Sequence, residues 1–158
     1  MHNWFECKIR YEKVAENGMN KKVTEPYLVD ALSFTEAESR IIEEITPFIS
    51  GEFTVSDIKR ANYSELFPSD EEAADRWFKC KLYFITLDEK SGAEKKTATN
   101  VLVQAADLRD AVKKLDEGMK GTMADYVIAS VAETALMDVY PYSAESDVKP
   151  EFPDADKR

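Results

Sequence analysis

The chain has 158 residues, 44% of them hydrophobic and 33% charged, with 31 acidic against 21 basic side chains and a formal charge of −10. That length and apolar share suit one compact domain or two very small ones and argue against wholesale disorder. A surface that coats a polyanion broadly is disfavoured although a local basic face is not, and no apolar run approaches the ~18 residues of a membrane helix.

Met1 to Lys8 shows no basic stretch followed by an apolar one, so no secretory signal is expected. Two cysteines, Cys7 and Cys80, are too few for a disulfide framework, and a cytoplasmic protein with reduced thiols follows. Phe5, Cys7, Ile9 and Tyr11 alternate with Trp4, Glu6, Lys8 and Arg10, the period-two pattern of a half-buried strand. Asn17-Gly18 tolerates positive φ and turns the chain. Val23 to Leu32 returns as a second strand, with Pro26 marking an edge or a start. Ser33 to Glu38 holds two overlapping capping boxes, Ser33 with Glu36 and Thr35 with Glu38. Ala37, Ile41, Ile42 and Ile45 form the apolar stripe of the helix that follows, and Pro47 ends it. Beyond Gly51 comes a long strand, opening as Phe53-Thr54-Val55-Ser56-Asp57-Ile58, whose alternation slips near Ser56-Asp57.

The same order then recurs. Trp4-Phe5-Glu6-Cys7-Lys8-Ile9 returns as Trp77-Phe78-Lys79-Cys80-Lys81-Leu82, 73 positions on. Leu28-Val29-Asp30-Ala31 returns as Leu102-Val103-Gln104-Ala105 at an offset of 74, and Phe53, Ile58 and Phe67 match Tyr126, Val131 and Tyr140 at 73 again. Ser91-Gly92 turns the second hairpin, and Thr97 to Ala105 forms its return strand. Asp107 caps a helix carrying Leu108, Ala111, Val112, Leu115 and Met119, with Gly118 and Gly121 as stop signals. The alternation slips at Ala129-Ser130, as it does in the first half. These patterns predict an α+β fold, internally duplicated, of two ββαβ halves, each with antiparallel sheet and one main helix. The expected spans are 1–67 and 77–142 for the repeats, 68–76 for an acidic linker or short helix, and 143–158 for a flexible acidic tail.

The chemistry of catalysis is thin. His2 is the only histidine, in an expected frayed start, so His-rich metal sites and Ser-His-Asp systems lack their parts unless His2 serves. Cys7 and Cys80 fall on inward strand positions and read as small buried hydrophobes. The five glycines form neither GxGxxG nor GxxxxGK[ST]. The carboxylates spread over helix faces, so no catalytic residue, metal or cofactor is expected. One constellation stands out. Trp4, Lys8 and Arg10, with Trp77, Lys79, Lys81 and Tyr83, share the outward face of the two equivalent strands. Aromatics interleaved with lysines could stack bases and pair phosphates of single-stranded nucleic acid. The plainer reading has lysines keeping edges soluble and both tryptophans buried against the other half or a second subunit.

The stretches Asn3 to Lys8, Lys21 to Ala31, Phe53 to Lys59 and Glu117 to Tyr126 resemble an uncharacterised family of gut bacteria and their phages, a domain of unknown function, over about residues 3–142. The resemblance implies a bacterial or phage protein of cytosolic type and carries no catalytic residue. The expected function is a non-enzymatic module that binds a macromolecule, protein or single-stranded nucleic acid, with no membrane partner and with homodimerisation open. An acidic regulator of a basic partner, or a carboxylate-based enzyme in a groove, are the alternatives.

Overall fold

The computed structural model describes residues 2–142, so the tail expected at 143–158 lies outside the described residues. In chain order the elements are β1 (Trp4–Val14), β2 (Asn20–Asp30), α1 (Phe34–Ile45), a 3₁₀ turn (Thr46–Phe48), β3 (Phe53–Ala61), β4 (Glu65–Phe67), β5 (Arg76–Leu87), β6 (Glu94–Ala105), α2 (Leu108–Gly118), β7 (Asp125–Glu133) and β8 (Val139–Tyr140). The fold is α+β, with two four-stranded sheets ordered β3-β1-β2-β8 and β4-β6-β5-β7. Chain contacts define two units: one runs to Ala61 and resumes at Leu136, and the other is Asn62–Ala135.

In the first unit, the inward residues Phe5, Cys7, Ile9 and Val29 pack on Ala37, Ile41 and Ile45 of α1. Each large apolar side chain so buried contributes about 1.5–3 kcal/mol. The helix starts where Ser33 Oγ accepts from Glu36 N at 3.1 Å while Glu36 Oε1 accepts from Leu32 N at 2.8 Å. The second unit repeats the device with different residues. Asp107 Oδ1 accepts from Asp110 N at 2.8 Å, and Asp110 Oδ2 accepts from Ala106 N at 2.9 Å. Phe78, Cys80, Leu82, Val101 and Val103 then pack on Ala111 and Leu115 of α2. The slips in alternation are register shifts: β3 skips Ser56 opposite Lys8/Ile9, and β7 skips Ala129 opposite Lys81/Leu82. An extra residue on an edge strand re-aims the side chains beyond it and sharpens the local twist.

Four expectations need correction. The long strand expected to close each half ends at Ala61 in the first and at Glu133 in the second. After Ala61, Ser64 N donates to Asn100 O at 2.8 Å and β4 adds in parallel to β6, while β8 adds in parallel to β2. Each short strand therefore joins the sheet of the unit that did not supply the strand before it, and the units divide at 61/62 and 135/136 instead of at 67 and 77. Residues 68–76, for which the sequence offers a capped helical turn or an acidic linker, form a capped turn within the second unit: Glu71 N donates to Ser69 Oγ at 3.2 Å and Ala74 N to Glu71 O at 3.0 Å. Of the two expected helix stops, Gly121 takes φ +87° while Gly118 is the last residue of α2 with no positive φ. His2 is not a bare end: its Nδ1 pairs with Asp30 Oδ2, and its ring stacks on Trp4 with centroids 4.9 Å apart. Asp30, 3% exposed, also accepts from Asn3 N at 3.0 Å, so a buried carboxylate has its partners.

Three tyrosines, Tyr11, Tyr27 and Tyr140, pack partly buried against the inward cluster of the first unit. Tyr11 donates to Glu25 Oε1 at 2.8 Å, and Tyr27 and Tyr140 stack with centroids 6.2 Å apart. Burial first, then the neighbouring Glu25, pushes Tyr11 up to about 12; burial, then Asp138, does the same to Tyr140. An acid whose folded pKa lies above its unfolded value near 10 adds stability below pH 10 and loses it as pH rises toward 12. Unfolding followed between pH 9 and 12 should show that loss, flattened in Tyr11→Phe/Tyr140→Phe. Tyrosine absorbance titrating wholly near pH 10, with no such flattening, would contradict it.

Candidate nucleic-acid interface

Alternation places Trp4, Glu6, Lys8 and Arg10 of β1 on the sheet face away from α1, and Trp77, Lys79, Lys81 and Tyr83 of β5 on the face away from α2. The strand registers then decide what each meets. Trp4 is 3% and Trp77 5% exposed, so neither indole offers a ring face to a base. This corrects their placement on an open platform: both sit at the strand ends beside the buried Leu28 and Leu102. The remaining five candidates keep solvent access: Arg10 and Lys79 are exposed, and Lys8, Lys81 and Tyr83 half-buried.

The two outer faces differ in charge pairing. In the first unit Lys8 lies opposite Asp57, Lys59 opposite Glu6 and Lys22 opposite Glu12, while Arg10 faces Thr24 and Thr54. Opposite charges directly across strands attract each other and neutralise the face. In the second unit Lys79 lies between Leu102 and Ala132, Lys81 between Asn100 and Ser130, and Lys96 opposite Ile85. None of these three lysines has a carboxylate directly across. Lys81 Nζ sits 5.4 Å from the Tyr83 ring centroid, a cation–π arrangement that leaves the ammonium beside an accessible ring. Val127, 45% exposed, lies opposite Tyr83 and adds apolar area. The outer face of the second unit thus carries a lysine-bearing strip with the Tyr83 ring in it.

Sequence reasoning grouped the seven candidates in one constellation; the registers separate Lys79, Lys81 and Tyr83, joined by Lys96, from Lys8 and Arg10. Asn100 was missed. Its Oδ1 is buried and meets no hydrogen-bond donor among the described residues, and nothing in the local sequence marks it.

The two cysteines are enclosed. Burial pushes the Cys7 thiol up to about 12, with Glu6, Asp57 and Glu38 adding to it, and burial pushes Cys80 up to about 11. A protonated, enclosed thiol is a weak nucleophile. Among the described residues no three His, Cys, Asp or Glu side chains gather as a metal site, and no helix is long and apolar enough to cross a membrane. A groove of about 530 Å³ beside Arg10, Tyr11, Lys22 and Phe53 mixes Arg10 and Lys22 with Glu12 and Glu52.

Residues 3–142 match a family described as a domain of unknown function (DUF4494). No curated protein matches the chain.

Proposed function

The chain belongs to this family of unknown function, and we propose that it is a non-enzymatic binding module that holds single-stranded nucleic acid on the outer face of its second unit. One observation carries the reading: on a chain of charge −10, Lys79, Lys81 and Lys96 share the outer face with Tyr83 and have no carboxylate opposite them. Alternate residues on a strand recur about every 6.8 Å, close to the separation of successive phosphates on an extended strand. Lys79 and Lys81 therefore suit neighbouring phosphates, while Tyr83 suits a base. The cost of net acidity is limited, since charges beyond about 8 Å are largely screened at physiological salt.

The test is fluorescence anisotropy with labelled single-stranded DNA and RNA at 50 and 200 mM salt. Three phosphate contacts give a log–log slope of about −2, so affinity should fall roughly 20-fold over that range. Tyr83→Ala should weaken binding about tenfold, and Lys79→Ala/Lys81→Ala should lower the slope by about 1.4. Folded protein without salt-sensitive binding would refute the reading. The acidic-regulator alternative has its support in α1, whose exposed Glu38 and Glu43 flank Ile42, itself 40% exposed.

An internal duplication belongs to the same proposal. What supports it is the shared order β1-β2-α1-β3 and β5-β6-α2-β7, the side-chain caps at Ser33 and Asp107, and the register shifts at Ser56 and Ala129, 73 positions apart. On this account one copy kept carboxylates across the strands from its lysines and the other freed them for a ligand. The proposed setting is the cytoplasm of a bacterial or phage-infected cell.

A further inference from the structure

We propose that Asn100 is a positioning residue of the lysine strip: when a base takes the Tyr83 ring, the Lys81 ammonium moves onto Asn100 Oδ1. The inference rests on the reading of that strip as a nucleic-acid face. Asn100 lies directly opposite Lys81 on β6, and its Oδ1 is buried with no hydrogen-bond donor among the described residues. A buried carbonyl left without a donor is costly, and such groups in folded proteins have a reason. The donors of Ser64, which precedes β4, are already committed: Ser64 N and Ser64 Oγ both donate to the Asn100 backbone O, at 2.8 and 3.2 Å. On β5 the residue across the ladder is Lys81, whose ammonium carries three N–H donors.

In this structure that ammonium lies elsewhere. Lys81 Nζ is 5.4 Å from the centroid of Tyr83, two residues along the same strand. Tyr83 is the ring proposed to stack a base, so ammonium and base compete for it. Directly opposite residues of an antiparallel pair have Cβ atoms about 4.5–5.5 Å apart, a distance that a lysine stem spans. Lys81 can therefore leave the ring without leaving the strip. One N–H then goes to Asn100 Oδ1, and the others remain for a phosphate. Asn100 restores to Lys81 the partner that the base takes away, and base stacking and phosphate pairing become one event. The contact is to Lys81 and to no base edge, so it acts alike on every base.

The experiment uses the full chain with labelled single strands of deoxythymidine and of deoxyadenosine. Anisotropy titrations compare the wild type with Asn100→Leu, Lys81→Met and the double variant. Asn100→Leu should weaken binding of both strands equally, by roughly three- to tenfold, the effect of one hydrogen bond. In the Lys81→Met background the same change should alter affinity by less than about twofold, because the group it acts through is gone. Proton NMR of the wild type reads the movement itself. The ring current of Tyr83 holds the Lys81 ε-protons upfield in the unbound chain. Saturation with the deoxythymidine strand should move them downfield, as Tyr83→Leu does without any ligand.

Equal weakening by Asn100→Leu with and without the Lys81 ammonium would overturn the inference and leave the strip as a binding face. Lys81 ε-protons that stay upfield in the complex would do the same. A loss confined to one of the two strands would also overturn it, assigning Asn100 to a base edge instead. Folded chains that bind neither strand would remove the nucleic-acid reading, and this inference with it.

Discussion

Trp77→Ala is expected to cost about 3–5 kcal/mol of folding stability, as removal of a buried tryptophan side chain usually does. The side chain is 5% exposed and lies one strand away from the buried Leu102 and half-buried Gln104. Its backbone role survives the change, because Trp77 O still accepts from Thr134 N at 2.8 Å and from Thr134 Oγ1 at 2.9 Å. The loss therefore reports the ring and its cavity. Domains of this kind hold about 5–15 kcal/mol in total, so this one substitution removes a large part of it. Urea unfolding of Trp77→Ala beside the exposed Lys79→Ala makes the comparison, the lysine variant staying within about 0.5 kcal/mol of wild type. A Trp77→Ala chain that unfolds within about 1 kcal/mol of wild type would show that the ring is not a core element. The result also governs the binding experiment. Oligonucleotide binding lost in Trp4→Ala/Trp77→Ala is uninterpretable without a folding control, whereas loss in Tyr83→Ala points to the face itself.

Much of the fold was legible because its signals are local. The alternation Phe5-Cys7-Ile9 and Phe78-Cys80-Leu82 identified strand faces, and the Ser33 cap identified a helix start. The slips at Ser56 and Ala129 identified the bulges before any pairing was known. The fourth strand of each sheet was not legible. Glu65–Phe67 has three residues and Val139–Tyr140 two, too few for a period, and both pair in parallel with a strand distant in sequence. Read along the chain alone, they continue the alternation of the strands before them.

The candidate site was legible only to the level of parity. Alternation says that Trp4, Lys8 and Arg10 share a face; it does not say whether that face is covered. Burial of Trp4 and Trp77 needs the tertiary structure. The distinction between the two lysine sets is likewise a property of register. Lys8 meets Asp57 only because β1 and β3 pair as they do, and Lys79 meets Ala132 for the same reason in the second unit. The equivalent strands carry similar cations, and their partners, 49 and 53 positions away, decide which are free.

Gly118 is where helix propensity and packing make opposite predictions. Near a helix end Gly→Ala ordinarily stabilises, by up to about 1 kcal/mol. Here a Cβ would lie 2.9 Å from Phe67 Cδ1 and Cε1 and 3.0 Å from Cγ, closer than a methyl group can sit against a ring. Phe67 cannot simply swing away, since β4 is held in register on β6 and its ring packs against the core below α2. Overpacking of this kind costs about 1–3 kcal/mol, so Gly118→Ala should destabilise by about 1–2 kcal/mol and lower the melting temperature by roughly 3–6 °C. Trimming the ring reverses the sign. In a Phe67→Leu background, Gly118→Ala should be neutral or stabilising, and the double-mutant cycle should return a coupling of at least about 1 kcal/mol. Gly118→Ala stabilising in both backgrounds would mean that β4 does not press on α2. The short parallel strand would then lose its reason for a glycine, and with it the account of how the segment after Ala61 is anchored in the second unit.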